Sequence, residues 1–95
     1  MKILQSDLFL KQLNHILDFI ELHSINAKND FRNELLKSLK NLDFMPYKFR
    51  KSYSFDNKNI RDFIFKEYVI PYFIDEQKNT ILIIAIFREN LLNLE

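Results

Sequence analysis

The residues of this chain that could do chemistry are concentrated in a basic and aromatic segment near its middle. From Lys48 to Lys66 there are six basic residues against two acidic ones, whereas residues 67–95 carry two basic residues against five acidic ones. Between Tyr47 and Phe55 the basic side chains are interleaved with aromatic rings. Such a run can bind a nucleic-acid backbone through charge and stacking. More often, it is a solvated face over aromatic core residues.

The same segment supplies cations for phosphate chemistry but lacks groups that would move a proton. An arginine guanidinium is planar and permanently charged, so it stabilises phosphate well and is a poor proton shuttle near neutral pH. No histidine follows His23, and no tyrosine follows Tyr72. His15 and His23 lie eight residues apart on one predicted helix, too far apart to ligate one metal ion. We therefore expect no metal site.

The composition excludes several classes of protein. Among 95 residues there is no glycine and no cysteine. Glycine-dependent phosphate-binding loops, dinucleotide fingerprints, nucleophile elbows and EF-hands are therefore excluded, as are disulfides and thiolate nucleophiles. The lack of cysteine and of a candidate signal peptide favours the cytoplasm, and the longest apolar run, Ile81 to Phe87, is too short to span a membrane. We expect one domain over residues 1–95, with no cofactor.

The N-terminal half predicts a strand followed by two helices. Lys2 to Gln5 is short and partly apolar, and it runs into Ser6, a helix N-cap residue. Apolar residues at three- and four-residue spacing predict a helix from Asp7 to His23. A second helical pattern runs from Ala27 to Leu42 and is stopped by Met45-Pro46. Because the connection is short, the two helices should form an antiparallel hairpin.

After Pro46 the apolar period changes to two. Tyr47 to Asp56 predicts a strand or an extended loop, and three further strands follow. Pro71 cannot donate a ladder hydrogen bond, so its strand should lie at an edge or be bulged there. The order β-α-α-β-β-β predicts an α+β fold, with the helical hairpin on one face of a largely antiparallel sheet that ends in a three-stranded meander. The three predicted strands are Ile60 to Lys66, Tyr68 to Ile74 and Thr80 to Phe87.

The order and spacing of these parts carry a resemblance over nearly the whole chain. The parts are the N-terminal strand, the first helix ending in "HILDFIELHS", the second helix closed by Pro46, and the segments "IRDF", "YVIPYFID" and "ILIIAIFREN". Together they resemble the RelE/ParE toxin superfamily of bacterial type II toxin-antitoxin systems. The sequence departs from the family at Asn59-Ile60, where a glycine often precedes the arginine that matches Arg61. It also departs near Arg88, which either stands where a histidine is common or matches the basic residue just after that position.

The resemblance implies a cytoplasmic growth inhibitor that a cognate antitoxin neutralises. Its target would be either DNA gyrase, poisoned through a protein contact, or messenger RNA, cut on the ribosome. The missing acid-base residues favour the gyrase poison, closer to the ParE-like members. Ribosome-dependent endoribonuclease activity of the RelE type is the alternative, and an inactive antitoxin-binding relative is a third possibility.

The resemblance also assigns candidate site residues. For a catalytic role these are Arg50, Arg61 and Arg88, although Arg61 and Arg88 could equally serve as structural residues of the sheet. The three leucines of the C-terminal tail have little chain left to cover them, so they are candidates for contact with the antitoxin, which wraps such toxins with a helix and an extended segment. The candidate nucleic-acid-binding residues are Lys48, Lys51 and Lys66, and the candidate partner-binding residues are Leu91, Leu92 and Leu94.

Overall fold

A computed structural model of the protein describes residues 1–89. Its order of elements confirms the predicted α+β, β-α-α-β-β-β arrangement, with a short fifth strand at the end. In chain order the elements are β1 (Lys2–Gln5), α1 (Asp7–Glu21), α2 (Ile25–Lys40), a 3-10 turn (Asn41–Phe44), β2 (Ile60–Phe65), β3 (Tyr68–Asp75), β4 (Thr80–Ile83) and β5 (Phe87–Arg88).

Both helices begin at a serine cap. The Ser6 hydroxyl accepts a hydrogen bond from the Phe9 backbone N–H at 3.0 Å, and the Ser24 hydroxyl accepts one from the Ala27 N–H at 3.1 Å. Each cap satisfies a backbone donor that has no partner within the first helical turn. The first helix ends at Glu21 and the second begins at Ile25, each two residues before the predicted position, so residues 22–24 join them.

The strands form one five-stranded sheet. Its hydrogen-bonded order is β1-β4-β3-β2, and β5 also pairs with β3. The strands β2, β3 and β4 form the predicted antiparallel meander, whereas β1 lies parallel to β4. The turns between strands use Lys66 at φ 54° and Asn79 at φ 55°, left-handed positions that glycine would ordinarily occupy. Asparagine tolerates this conformation better than other residues with a Cβ.

The hydrophobic core lies between the helical hairpin and one face of the sheet. On β3 the residues that alternate toward the helices are all buried, and they include Tyr68 and Tyr72. Phe31 of α2 packs edge-on against the rings of Phe65 and Tyr68, at centroid distances of 5.3 and 5.7 Å. The core side chains are Phe9, Leu13, Leu17, Phe31, Leu35, Leu39, Leu42, Phe65, Tyr68, Ile70, Tyr72, Ile74, Ile81, Ile83 and Ile86.

The segment from Tyr47 to Asp56, for which a strand or an extended loop was predicted, is a loop. It touches the sheet through one isolated bridge between Lys51 and Arg61. The Ser52 N–H donates to the Ile60 carbonyl at 2.9 Å, and the Asp62 N–H donates to the Arg50 carbonyl at 3.0 Å. The loop therefore covers part of the outer edge of β2, whose backbone groups would otherwise lack partners.

Pro71 lies beside a β-bulge, which is one of the two situations predicted for its strand. It is in β3, an internal strand of the sheet. Tyr72 pairs with Ile83 and Val69 pairs with Phe87. Two residues of β3, 70 and 71, therefore lie opposite three residues, 84–86, of the segment that joins β4 to β5. This extra residue splits the predicted strand from Thr80 to Phe87 into β4 and β5. Because the ladder is interrupted there, the missing N–H of Pro71 leaves no gap in regular pairing.

Across residues 1–89, the helices are too short or too polar to cross a membrane.

Candidate functional site

Arg50 is held by a buried carboxylate on β2. Its Nε lies 3.2 Å from Asp62 Oδ2, and Asp62 is only 1% exposed. The Arg50 guanidinium carbon lies 3.9 Å from the centroid of the Tyr53 ring, and its Nη1 lies 3.7 Å from a carboxylate oxygen of Glu89. The side chain that sequence analysis assigns a catalytic role is therefore paired, stacked and partly covered.

Arg61 binds the backbone of the loop that precedes it. Its Nη1 donates to the carbonyls of Tyr47 and Phe49 at 2.9 and 3.0 Å, and its Nε donates to the Lys58 carbonyl at 3.1 Å. The fixed fork of a guanidinium suits several acceptors at once, which a lysine could not match. Arg61 thus clamps both ends of the segment 47–58 through backbone carbonyls.

Two tyrosines lie beside this clamp. The Tyr72 hydroxyl donates to the Pro46 carbonyl, and burial raises the pKa of the Tyr72 phenol above its ordinary value, with Arg61 acting in the opposite direction. The Tyr47 hydroxyl donates to Glu76 at 2.9 Å. Desolvation and this carboxylate raise the pKa of Tyr47. Both phenols are therefore held in the neutral form and are poorly suited to act as bases near neutral pH.

The three candidate nucleic-acid-binding lysines lie in two places. Lys48 and Lys51 are exposed in the loop beside β2, and the Lys48 ammonium lies 5.0 Å from the centroid of the Phe49 ring. Lys66 lies at the opposite end of β2, where its ammonium is 3.4 Å from Glu34 of α2. The structure therefore brings Lys48 and Lys51 to one loop and separates Lys66 from them.

Arg88 lies at a cavity between α1 and the sheet. Its Nη1 is 2.9 Å from Glu67, and its guanidinium carbon lies 5.6 Å from the centroid of the Tyr68 ring. The cavity has a volume of about 330 Å³, and its lining residues are His15, Ile16, Phe19, Tyr68, Phe87 and Arg88. The sequence does not reveal that His15 lies at this cavity, because 73 residues separate it from Arg88 and the helical pattern places it on a solvated face.

The three candidate catalytic arginines occupy three different environments. Arg50 pairs with Asp62, Arg61 binds loop carbonyls, and Arg88 pairs with Glu67. No residue is a hydrogen-bond or ion-pair partner of two of them in the described part of the chain. Residues 1–89 also hold no group of three histidine or acidic side chains arranged to bind a metal ion. The candidate antitoxin-binding leucines, Leu91, Leu92 and Leu94, lie outside the described residues.

The N-terminal strand, the helical hairpin and the antiparallel meander match the fold expected for the RelE/ParE superfamily. The family model for the ParE toxin of the type II toxin-antitoxin system, parDE, matches residues 3–90. The chain belongs to this family. Membership implies an antitoxin partner.

Two solved structures share the fold. One is described as a chromosomal ParDE TA system from P. aeruginosa; it is 14% identical, with a TM-score of 0.74, and the match covers 93% of this chain and 95% of that chain. The other is the solution structure of conserved hypothetical protein HP0892 from Helicobacter pylori; it is 17% identical, with a TM-score of 0.52, and covers 97% and 98%. No curated protein sequence matches this chain closely enough to count as a relative.

Proposed function

We propose that this protein is the toxin of a type II toxin-antitoxin system that poisons DNA gyrase through a protein contact and is neutralised by a cognate antitoxin. Its membership in the ParE toxin family supports the toxin role. The gyrase target is cytoplasmic, so we place the action of the protein there. We also propose that residues 1–95 act as one toxin domain.

The observation that carries the gyrase proposal is the way the three arginines are engaged. Cleavage of RNA through its own 2′-hydroxyl needs a base, an acid and cations that converge on one phosphate. Arg50 and Arg61 instead hold the loop on β2, and Arg88 pairs with Glu67 beside the first residue of β3. Two of the three cations therefore have structural partners that account for them, which favours inhibition by contact over catalysis.

The test is a supercoiling assay with purified gyrase, relaxed plasmid and the purified full chain. We expect supercoiling to be inhibited in a dose-dependent way, with gyrase trapped on cleaved DNA. Prior addition of the cognate antitoxin should restore supercoiling. Supercoiling that stays unaffected, together with cutting of messenger RNA in a translation mixture, would refute the gyrase proposal.

One observation favours a second candidate function, the ribosome-dependent endoribonuclease. His15, Tyr68 and Arg88 line the same cavity, so an imidazole that could move a proton lies at the same cavity as a cation that could stabilise a phosphate. Under this alternative, His15→Ala and Arg88→Ala would each abolish messenger RNA cleavage. His23→Ala is the matched control, because it removes an exposed histidine just after the same helix.

Expression in the absence of antitoxin separates both toxin functions from an inactive antitoxin-binding relative. Growth arrest supports a toxin. A folded product that leaves growth unchanged and still binds the antitoxin would identify the inactive relative and would overturn the proposal.

A further inference from the structure

The loop formed by residues 47–58, which we call the basic loop, carries positive charge that its surroundings do not neutralise. Together with Arg61 it holds five basic residues and one acidic residue, Asp56. Arg50 is ion-paired with Asp62 and with Glu89, so with these two acids counted the balance is five cations against three acids, 5 − 3 = +2. The positive charge of the loop rests on the four other cations. Among residues 1–89, no carboxylate oxygen comes within ion-pair distance of the side-chain nitrogens of these four cations, which are Lys48, Lys51, Lys58 and Arg61.

Arg61 adds to this positive charge in a way that the sequence does not reveal. Within residues 1–89 its guanidinium donates three hydrogen bonds, all to backbone carbonyls, those of Tyr47, Phe49 and Lys58. Carbonyls solvate a guanidinium but do not cancel its charge. The loop is therefore folded around the Arg61 guanidinium, whose electrostatic field adds to that of the exposed lysines.

The same loop exposes aromatic rings. Tyr53 is 74% exposed and Phe55 is 39% exposed, whereas Phe49 packs against Phe63 at a centroid distance of 5.2 Å. A basic run over aromatic core residues would bury these rings, and the loop buries only part of them. Arg50 lies against one face of the Tyr53 ring, so the ring is held in place while most of its surface stays open to solvent.

Several hydrogen bonds order the loop. Asp62 accepts a hydrogen bond from the Tyr53 N–H at 3.1 Å, and Ser52, which is buried, accepts one from the Ser54 N–H at 3.2 Å. With the Arg61 clamp, these bonds hold the backbone on either side of the exposed ring. A site that is ordered in advance loses less entropy on binding.

We infer that the basic loop binds single-stranded nucleic acid, with Lys48, Lys51 and Lys58 on the phosphates and the rings of Tyr53 and Phe55 on unstacked bases. Charge attracts any polyanion, but exposed rings in the same loop favour single strands because their bases are free to stack. The inference does not depend on the gyrase proposal, since it concerns a direct contact with DNA or RNA. It excludes Lys66, which lies at the other end of β2.

The test is fluorescence anisotropy with labelled oligothymidylate and oligouridylate of about 20 nucleotides, longer than one small binding site requires. We expect both to bind, and binding to weaken with salt at a slope of about −2, because each of three phosphate contacts contributes about −0.7 for single strands. Lys51→Gln with Lys58→Gln should make the slope shallower by about 1.4. Tyr53→Ala should weaken binding by about 5- to 100-fold, the range for loss of one stacked base.

A control pair of substitutions tests whether the loss of affinity is specific to the basic loop. Lys11→Gln with Lys37→Gln removes the same charge from exposed positions on α1 and α2 and should leave the affinity within about twofold. Circular dichroism confirms that each variant folds. Tighter binding of one oligonucleotide than the other identifies DNA or RNA as the preferred strand and supports the inference.

Three outcomes would overturn the inference. The first is the absence of oligonucleotide binding at low salt. The second is equal loss of affinity in the loop pair and in the control pair. The third is equally tight binding of duplex DNA or of a polyglutamate peptide with no effect of Tyr53→Ala, which would show a general anion or protein contact. The supercoiling assay is independent of all three.

Discussion

Arg50 and Asp62 are joined by two contacts, an ion pair between their side chains and a hydrogen bond between their backbones. The Asp62 carboxylate lies 3.2 Å from Arg50 Nε, and the Asp62 N–H donates to the Arg50 carbonyl at 3.0 Å. The same carboxylate accepts the Tyr53 N–H. One buried acid on β2 therefore binds both the side chain and the backbone of the neighbouring loop, and an arginine that the sequence offers as a catalytic cation acts as an anchor.

Asp62→Ala should lower the free energy of unfolding by about 3 kcal/mol, because it removes the buried partner of Arg50 and leaves only the exposed and more distant Glu89 carboxylate, at 3.7 Å. The value belongs at the low end for buried pairs, since Arg50 is 28% exposed. Urea denaturation measures it. Asp56→Ala removes an exposed acid from the same loop and should change stability by no more than about 0.5 kcal/mol. A similar loss of unfolding free energy in both variants would show that Asp62 does not anchor the loop.

Arg61→Lys should loosen the basic loop while leaving the rest of the fold in place. A single ammonium cannot reproduce the three carbonyl contacts of the guanidinium fork. We expect the amides of Ser52 and Asp62, which bond across the loop and β2, to exchange about tenfold faster, the equivalent of about 1.4 kcal/mol. Arg32→Lys on the exposed side of α2 is the control. Unchanged amide exchange at Ser52 and Asp62 in Arg61→Lys would show that the guanidinium is not needed to hold the basic loop on β2.

Tyr72→Phe should lower stability and also change its dependence on alkaline pH. Loss of the hydrogen bond to Pro46 should cost about 1–2 kcal/mol. Burial raises the pKa of Tyr72 above 10.0 in the fold, so its contribution is complete below about pH 10 and is lost as the pH rises further.

Thermal unfolding of both proteins from neutral to strongly alkaline pH measures this. The wild type should lose stability more steeply than Tyr72→Phe. Some slope should persist in the variant, since the pKa of Tyr47 is also raised. Tyr53→Phe removes an exposed hydroxyl as the control, and parallel alkaline slopes in wild type and Tyr72→Phe would contradict the prediction.

Leu35→Ala should destabilise the protein by about 2–5 kcal/mol, since it leaves a cavity in the core beneath the sheet. Leu35 is fully buried on α2, whereas Leu22, at the connection between the helices, is 82% exposed. Leu22→Ala is therefore the matched control and should change stability by no more than about 0.5 kcal/mol. Denaturant titration compares the two, and equal losses would show that the hairpin does not pack as described.

The sequence predicts the elements better than it predicts their partners. Serine caps and apolar spacing fix the starts and buried faces of both helices, because these signals act within a few residues. The strand from Thr80 to Phe87 was predicted as continuous, and only its pairing with β3 shows where the bulge divides it. Alternation over Tyr47 to Asp56 left strand and loop both open, since a loop lying against a sheet edge can carry the same pattern as a strand.

By itself, the sequence determined the α+β order, the family resemblance, the lack of glycine-built sites and the concentration of positive charge near the middle of the chain. Each of these depends on residue type and local spacing. The tertiary structure decided the roles of the cations: Arg50 meets Asp62, Arg61 turns to carbonyls, and Arg88 shares a cavity with His15. Those partners depend on strand register and on the packing of α1 over the sheet, which bring together residues that no local pattern connects.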